Sequence, residues 1–225
     1  MPSYMLSENV ERTELNIVVL GAFNPLIITP FWLSAKGLIR ESDAKNATVK
    51  IIHEEIVDYD LEWATFNITQ RRFQLICNKE PFFEIVRDLV AGIFSILKET
   101  PIRSLGFNHN SIFTLKSSER YYEFGNKLTP LNNWSSFLND PRLQKLEILE
   151  KNPKEKPEGS ILVTVYAVGD DDTNFGVGIN INDHYNFSIE KEGVKFKATY
   201  IMDYWPTTIS IASNILDKLS ISLDL

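Results

Sequence analysis

The sequence predicts an α+β protein of two similar halves, each a mostly antiparallel sheet of four to five strands with a long amphipathic helix packed on it. Short β-branched runs separated by turn residues supply the strands, and two apolar-striped segments, 81–98 and the stretch after Pro206, supply the helices. The order strand, helix, three or four strands, long helix is read twice, with a seam near Thr100. The expected division is a polar tail over 1–13, a first half over 14–100 and a second over 101–225, with one continuous domain as the alternative at this chain length.

In the first half, Leu15 to Gly21 is β-branched and too short for a helix, so it reads as a buried strand that ends before Asn24-Pro25. A short helix is expected from Pro30 to Ile39. Val49 to Val57, Leu61 to Ile68 and Arg72 to Cys77 read as an antiparallel meander, with turns at Asp58-Tyr59-Asp60 and Thr69-Gln70. Pro81 to Lys98 is the clearest helix. Phe82, Val86, Leu89, Ile93 and Leu97 recur at the helical period, Phe83, Val90 and Phe94 widen the stripe, and Glu84, Arg87 and Asp88 take the other side.

The second half begins with a strand from Ile102 to Phe107, closed by Gly106-Phe107-Asn108 as if by a turn. Helical stretches are expected at 118–127 and 132–139, with Ser118 and Asn132 as N-caps. Leu143 to Leu149, Ile161 to Val168, Asn174 to Asn182 and Val194 to Ile201 follow as strands, the lysine- and glutamate-rich stretch from Glu150 to Ser160 being a solvated connection. Pro206 introduces the last helix, whose apolar face holds Ala212, Ile215, Leu216, Leu219 and Leu223.

Composition narrows the function classes. A 44% hydrophobic and 24% charged chain can fill a sizeable core and is not of disordered type. With a net charge of −7 and no basic run longer than two, it lacks the cationic stripe that tracks phosphate backbones, so nucleic acid is not the expected partner. The single cysteine, Cys77, excludes a disulfide framework and a multi-thiolate metal site, and its apolar surroundings predict an inert buried thiol. The first residues show no basic stretch followed by a long apolar one, so no secretory signal is expected. The apolar run 26–33 is broken by Thr29 and Pro30, far short of the ~20 residues of a membrane span, so the expected location is cytoplasmic and no membrane partner is expected.

Templates for chemistry fail one by one. There is no phosphate-cradling Gly-x-x-x-x-Gly-Lys and no Gly-x-Ser-x-Gly elbow. Gly176-Val177-Gly178 has Ile181 where a dinucleotide turn needs its third glycine. The acidic run 170–174 puts Phe175 and Ile181 where a calcium loop needs Gly and Glu, and reads instead as a hydrated hairpin turn. Asp58, Asp60 and Glu62 crowd a turn with nothing to single out a proton donor. No catalytic residue, cofactor or metal ligand is therefore expected.

Two sets of residues remain as candidates. Trp134, Phe137, Tyr204 and Trp205 stand at element boundaries, where aromatic side chains serve as interface anchors. Asn108, His109, Asp183 and His184 would form a polar cleft between the halves if pseudo-symmetry brought them together. The first set leads to a non-enzymatic interaction or assembly protein that binds another protein or itself, and the second to a small-ligand binder or enzyme. A third reading, nucleic-acid binding, requires Arg71, Arg72, Arg103, Lys195 and Lys197 to share one face.

Three stretches carry a family resemblance: Thr69-Gln70-Arg71-Arg72-Phe73-Gln74-Leu75, Thr100-Pro101-Ile102-Arg103-Ser104-Leu105-Gly106-Phe107-Asn108, and Leu128-Thr129-Pro130 followed by Trp134. Over roughly residues 15 to 190 their order resembles an uncharacterised, sporadically distributed bacterial protein family. The resemblance implies no catalytic residues. It implies a bacterial or phage-related origin, where small accessory proteins act through partners.

Overall fold

The computed structural model describes residues 10–115, 117–154, 158–169, 175–188 and 194–223. Its centre is one antiparallel sheet, not two: nine strands run in the order β2-β3-β4-β5-β1-β6-β9-β8-β7. The strands are β1 (Val10–Gly21), β2 (Thr48–Ile52), β3 (Ile56–Asp60), β4 (Thr65–Thr69), β5 (Arg72–Cys77), β6 (Ile102–Leu115), β7 (Lys145–Lys151), β8 (Gly159–Val168) and β9 (Phe175–Asn186). The helices are α1 (Pro30–Ala35), α2 (Glu41–Lys45), α3 (Phe83–Ile96), α4 (Ser118–Leu128) and α5 (Thr199–Leu223).

The join is the β1–β6 pair, in register from Leu20 opposite Ser104 to Thr13 opposite Ser111. Both strands outrun their expected lengths for the same reason. β1 is flanked by β5 over residues 15–20 and by β6 along its length, and β6 is paired with β9 from Ser104 to Leu115, so the backbone beyond the expected strand ends still finds ladder partners on a neighbouring strand. β1 therefore starts inside the expected tail, at Val10, and β6 runs straight through the expected turn at Gly106-Phe107-Asn108.

Alternation along the strands sorts the two faces. Leu15, Ile17 and Val19 of β1, Phe73, Leu75 and Cys77 of β5, and Leu105, Phe107 and Phe113 of β6 all point to one side and are buried there. Helix α3 covers the β1–β5 region with Phe83, Val86, Leu89, Val90, Ile93 and Phe94, the stripe expected from its periodicity. Helix α4 adds Tyr121 and Phe124, and α5 adds Ala212 and Leu216, over Val177, Ile179 and Ile181 of β9. One apolar cluster joins Leu15, Ile17 and Val19 to Leu105, Phe107, Tyr185 and Trp205, so the core runs across Thr100 without a break.

Four local expectations are corrected. Val49–Val57 is not one strand but the hairpin β2–β3, closed by mutual backbone bonds between His53 and Ile56 (2.8 and 3.2 Å) with Glu54-Glu55 at the tip. Consequently Asp58-Tyr59-Asp60 is strand, and the following turn is Leu61–Ala64, where the Leu61 N–H donates to the Ala64 carbonyl at 2.8 Å. Residues 132–139 form a 3-10 turn over Leu131–Asn133 and irregular chain rather than a helix, and the cap of α4 is Ser117, whose Oγ accepts from the Arg120 N–H. Finally, 194–198 is not a strand, and Thr199 to Ile201 already belong to α5, which contains Pro206 instead of starting after it. The acidic run 170–174 lies outside the described residues.

Candidate functional site

The four polar residues expected to share a cleft all sit on the adjacent strands β6 and β9, but the pleat divides them. His109 and Asp183 point to the helix-covered side and are buried. Asn108 and His184 point to the open side, where Asn108 pairs with Asn182 and His184 stands opposite Gly106. No small ligand touches all four.

The buried pair has company. The Tyr185 hydroxyl donates to Asp183 Oδ2 at 2.9 Å, and the Trp205 ring of α5 lies 6.3 Å from the His109 ring. Burial pulls the His109 pKa down to about 4, although the Asp183 charge works against it. His109 is thus neutral at neutral pH. Burial and the same carboxylate raise the Tyr185 pKa far above that of a free phenol. Sealed beneath α5, this cluster has no opening for a substrate; it is a buried polar island in the core.

The open side is solvated and rich in amides. Asn182 Nδ2 donates to Asn108 Oδ1 at 2.7 Å, and Asn108 Nδ2 to the Asn16 carbonyl at 3.0 Å, a chain of bonds across β9, β6 and β1. Tyr166 of β8 lies over Gly178, where any Cβ would come within 2.2 Å of its ring, and its hydroxyl donates to Asn110 Oδ1 at 2.9 Å. Glycine at 178 therefore serves close packing and not a dinucleotide. His184 Nε2 is 3.0 Å from Asn186 Oδ1. Toward the β2 edge, Lys50 Nζ bridges Asp58 and Asp60 at 3.2 and 2.9 Å. Burial pushes the Asp60 carboxyl upward, but hydrogen bonds from Lys50 and Thr65 prevail and hold it below its ordinary value. These carboxylates are strand residues held by partners, not a proton-transfer pair.

The aromatic candidates separate as sharply. Trp205 is 6% exposed, with Phe107 at 6.0 Å and the Arg87 guanidinium 5.5 Å over its ring, so it is a core residue. Tyr204 stacks on Tyr185 at 4.2 Å and on Tyr200 at 5.2 Å. Trp134 and Phe137 are surface residues at 51% and 80% exposure, and Leu138, which the sequence reading passed over, joins them at 53%. Their chain is pinned. The N–H groups of Phe137 and Leu138 both donate to the Trp134 carbonyl at 2.9 Å, the Leu131 N–H donates to Asn126 Oδ1 at 2.9 Å, and Arg142 clamps Asp140 at 2.8 Å just beyond. Leu138 could have been found from sequence only by noticing that three large apolar residues stand within five positions bearing no helical stripe.

Cys77 is buried, and burial raises its thiol pKa, which keeps it unreactive. Among the described residues no three His, Cys, Asp or Glu side chains are grouped to hold a metal ion, and no helix is long and apolar enough to cross a membrane. Of the five cations named for nucleic-acid binding, Arg71 and Arg103 line one cleft at the end of the sheet, Arg72 is paired opposite Leu20 in the ladder, and Lys197 lies 6.0 Å over the Tyr200 ring. No protein-family model matches the chain, and no curated protein matches it.

Proposed function

We propose that the protein is a non-enzymatic interaction protein that docks a partner protein on the knuckle formed by Trp134, Phe137 and Leu138. The observation that carries this reading is the exposure of these three large apolar side chains on a segment fixed by hydrogen bonds at both ends. Apolar surface held in place in this way is the usual material of a binding hot spot, because little conformational entropy is left to lose on docking. The sealed His109–Asp183–Tyr185 island and the division of the other polar candidates between two faces favour binding over catalysis.

Two further elements belong to the same proposal. The chain is built of two similar halves: β2–β5 fold back so that β5 pairs β1, β7–β9 fold back so that β9 pairs β6, and a long helix follows each meander. From its resemblance to a sporadically distributed bacterial family, it is an accessory component of a bacterial or phage-related multi-component system acting in the cytoplasm.

Phe137→Glu and Trp134→Ala test the docking knuckle. Both residues are on the surface, so the variants are expected to keep the wild-type Tm. Light scattering after size-exclusion chromatography reads self-association, and affinity capture from the source cell reads a different partner. Loss of the complex in both variants is the expected outcome. A protein that stays monomeric and captures nothing, or a complex indifferent to Phe137→Glu, overturns the reading.

A further inference from the structure

Far from the knuckle, three turns converge at the end of the sheet where β1 finishes. They are the chain 20–26, the β2–β3 tip at Glu54 and the β4–β5 turn at Gln70 and Arg71; together with Arg103 of β6 they enclose an open cleft of about 930 Å³. That volume is in the range that takes a small organic ligand. The frame is stiff. The N–H groups of Gly21, Ala22 and Phe23 donate to the carbonyls of Arg71, Pro101 and Gln70 at 3.1, 3.0 and 2.8 Å. A Cβ at Gly21 would stand 2.5 Å from the Pro101 carbonyl oxygen, so the approach that brings these segments together requires glycine there.

Two cations face this cleft. In a chain of 30 acidic and 23 basic residues, several surface cations are held by carboxylates. Lys45 pairs with Glu41, Lys50 with Asp58 and Asp60, Arg87 with Asp88, Arg142 with Asp140 and Lys145 with Glu147. The guanidiniums of Arg71 and Arg103 make no ion pair or hydrogen bond among the described residues, although Glu54 lines the same cleft. Leu20 and Leu26, both exposed, give it an apolar wall.

We propose that this cleft binds a small phosphate monoester on a hydroxylated body, a sugar phosphate or nucleoside monophosphate, with the phosphate between Arg71 and Arg103. Two planar guanidinium forks match the charge and the multiple acceptors of a phosphate dianion, whereas one carboxylate would leave a guanidinium uncompensated. Glu54 repels a bare anion but accepts from a ligand hydroxyl, and so selects a ligand whose donor groups stand away from its phosphate. Leu20 and Leu26 cover the less polar part of the body.

The test uses the full chain titrated with AMP, ribose 5-phosphate, inorganic phosphate and adenosine, read by calorimetry and by amide chemical shifts at Gly21, Gln70 and Arg103. AMP and ribose 5-phosphate are expected to saturate and to move these amides, inorganic phosphate to bind more weakly, and adenosine to do nothing. Arg71→Ala and Arg103→Ala should each weaken AMP by about 10- to 100-fold, the effect of losing one charge-assisted contact, while Arg71→Lys loses less. Glu54→Gln should strengthen inorganic phosphate and weaken ribose 5-phosphate. Circular dichroism and Tm confirm that the variants are folded. No saturable response at about 10 mM AMP, or a response that survives both alanine variants, overturns the proposal. So does a single-stranded oligonucleotide that binds tighter than AMP and needs Lys195 and Lys197, which would make this end of the sheet a nucleic-acid surface.

Discussion

On the helix-covered side of β6 and β9 lie His109, Asp183 and Tyr185; on the open side of the same two strands lie Asn108, Asn182 and His184. The residue types are comparable and the backbones are shared. What differs is the cover of α5, which excludes water from the first group and leaves the second hydrated. Desolvation lowers the His109 pKa and raises that of Tyr185, whereas the amides of Asn108 and Asn182 on the open side form a bonded row. Asp183 and His184 are neighbours in the chain and belong to different worlds. Adjacency along a strand therefore says little about shared chemistry, and the layer packed above a residue says a great deal.

The largest expected test of this contrast is acid. The unfolded chain protonates His109 near its ordinary value of 6.5, the folded chain only near about 4, so the unfolded state binds more protons in between. This residue's contribution is intact above about pH 6.5 and is lost as pH falls toward 4, by about 3 kcal/mol in all. Urea unfolding of wild type and His109→Leu at pH 7 and pH 4.5 isolates it, because the carboxylates titrate alike in both. The wild type should lose more stability than the variant. Equal losses would mean that water reaches His109 and that the two sides are not distinct. Next in size is Tyr185→Phe, which deprives the buried Asp183 of a donor and should cost about 1.5–3 kcal/mol.

The periodic elements were legible in the sequence, the long-range ones less so. Helix α3 and strand β5 were found nearly to the residue, since each has one buried face and the pattern repeats at its own period. The β2–β3 hairpin was missed because its tip is Glu54-Glu55, with no glycine, asparagine or proline to mark it. Strand β6 was cut short because Gly106 and Asn108 resemble turn residues; Gly106 pairs with Val18 and Asn108 with Asn16, contacts about ninety residues away in the chain that no local window contains. Trp134 and Phe137 were recognisable as surface residues by their place at an element boundary among polar neighbours. Trp205 was not recognisable as core, because the helix that buries it was expected to begin only at Pro206. Arg71 and Arg103 were noticed as charges, but their meeting in one cleft depends on β1 ending between them.

Two smaller tyrosine changes sharpen the comparison. Tyr166→Phe removes a hydroxyl that reaches Asn110 on the open side, where water can take its place, so it should cost only about 0.5–1 kcal/mol. Tyr59 of β3 is the instructive opposite. It is buried on the helix side, stacked on Phe66 at 4.6 Å, and its hydroxyl has no hydrogen-bond partner among the described residues. Tyr59→Phe keeps the ring and the stack while removing a desolvated, unpaired oxygen. Stability measured by urea unfolding should therefore stay level or rise by up to about 1 kcal/mol, the reverse of Tyr185→Phe from the same side of the sheet. A clear loss of stability would instead mean that the Tyr59 hydroxyl is hydrogen-bonded in solution, and that this end of the covered face is less dry than the end beneath α5.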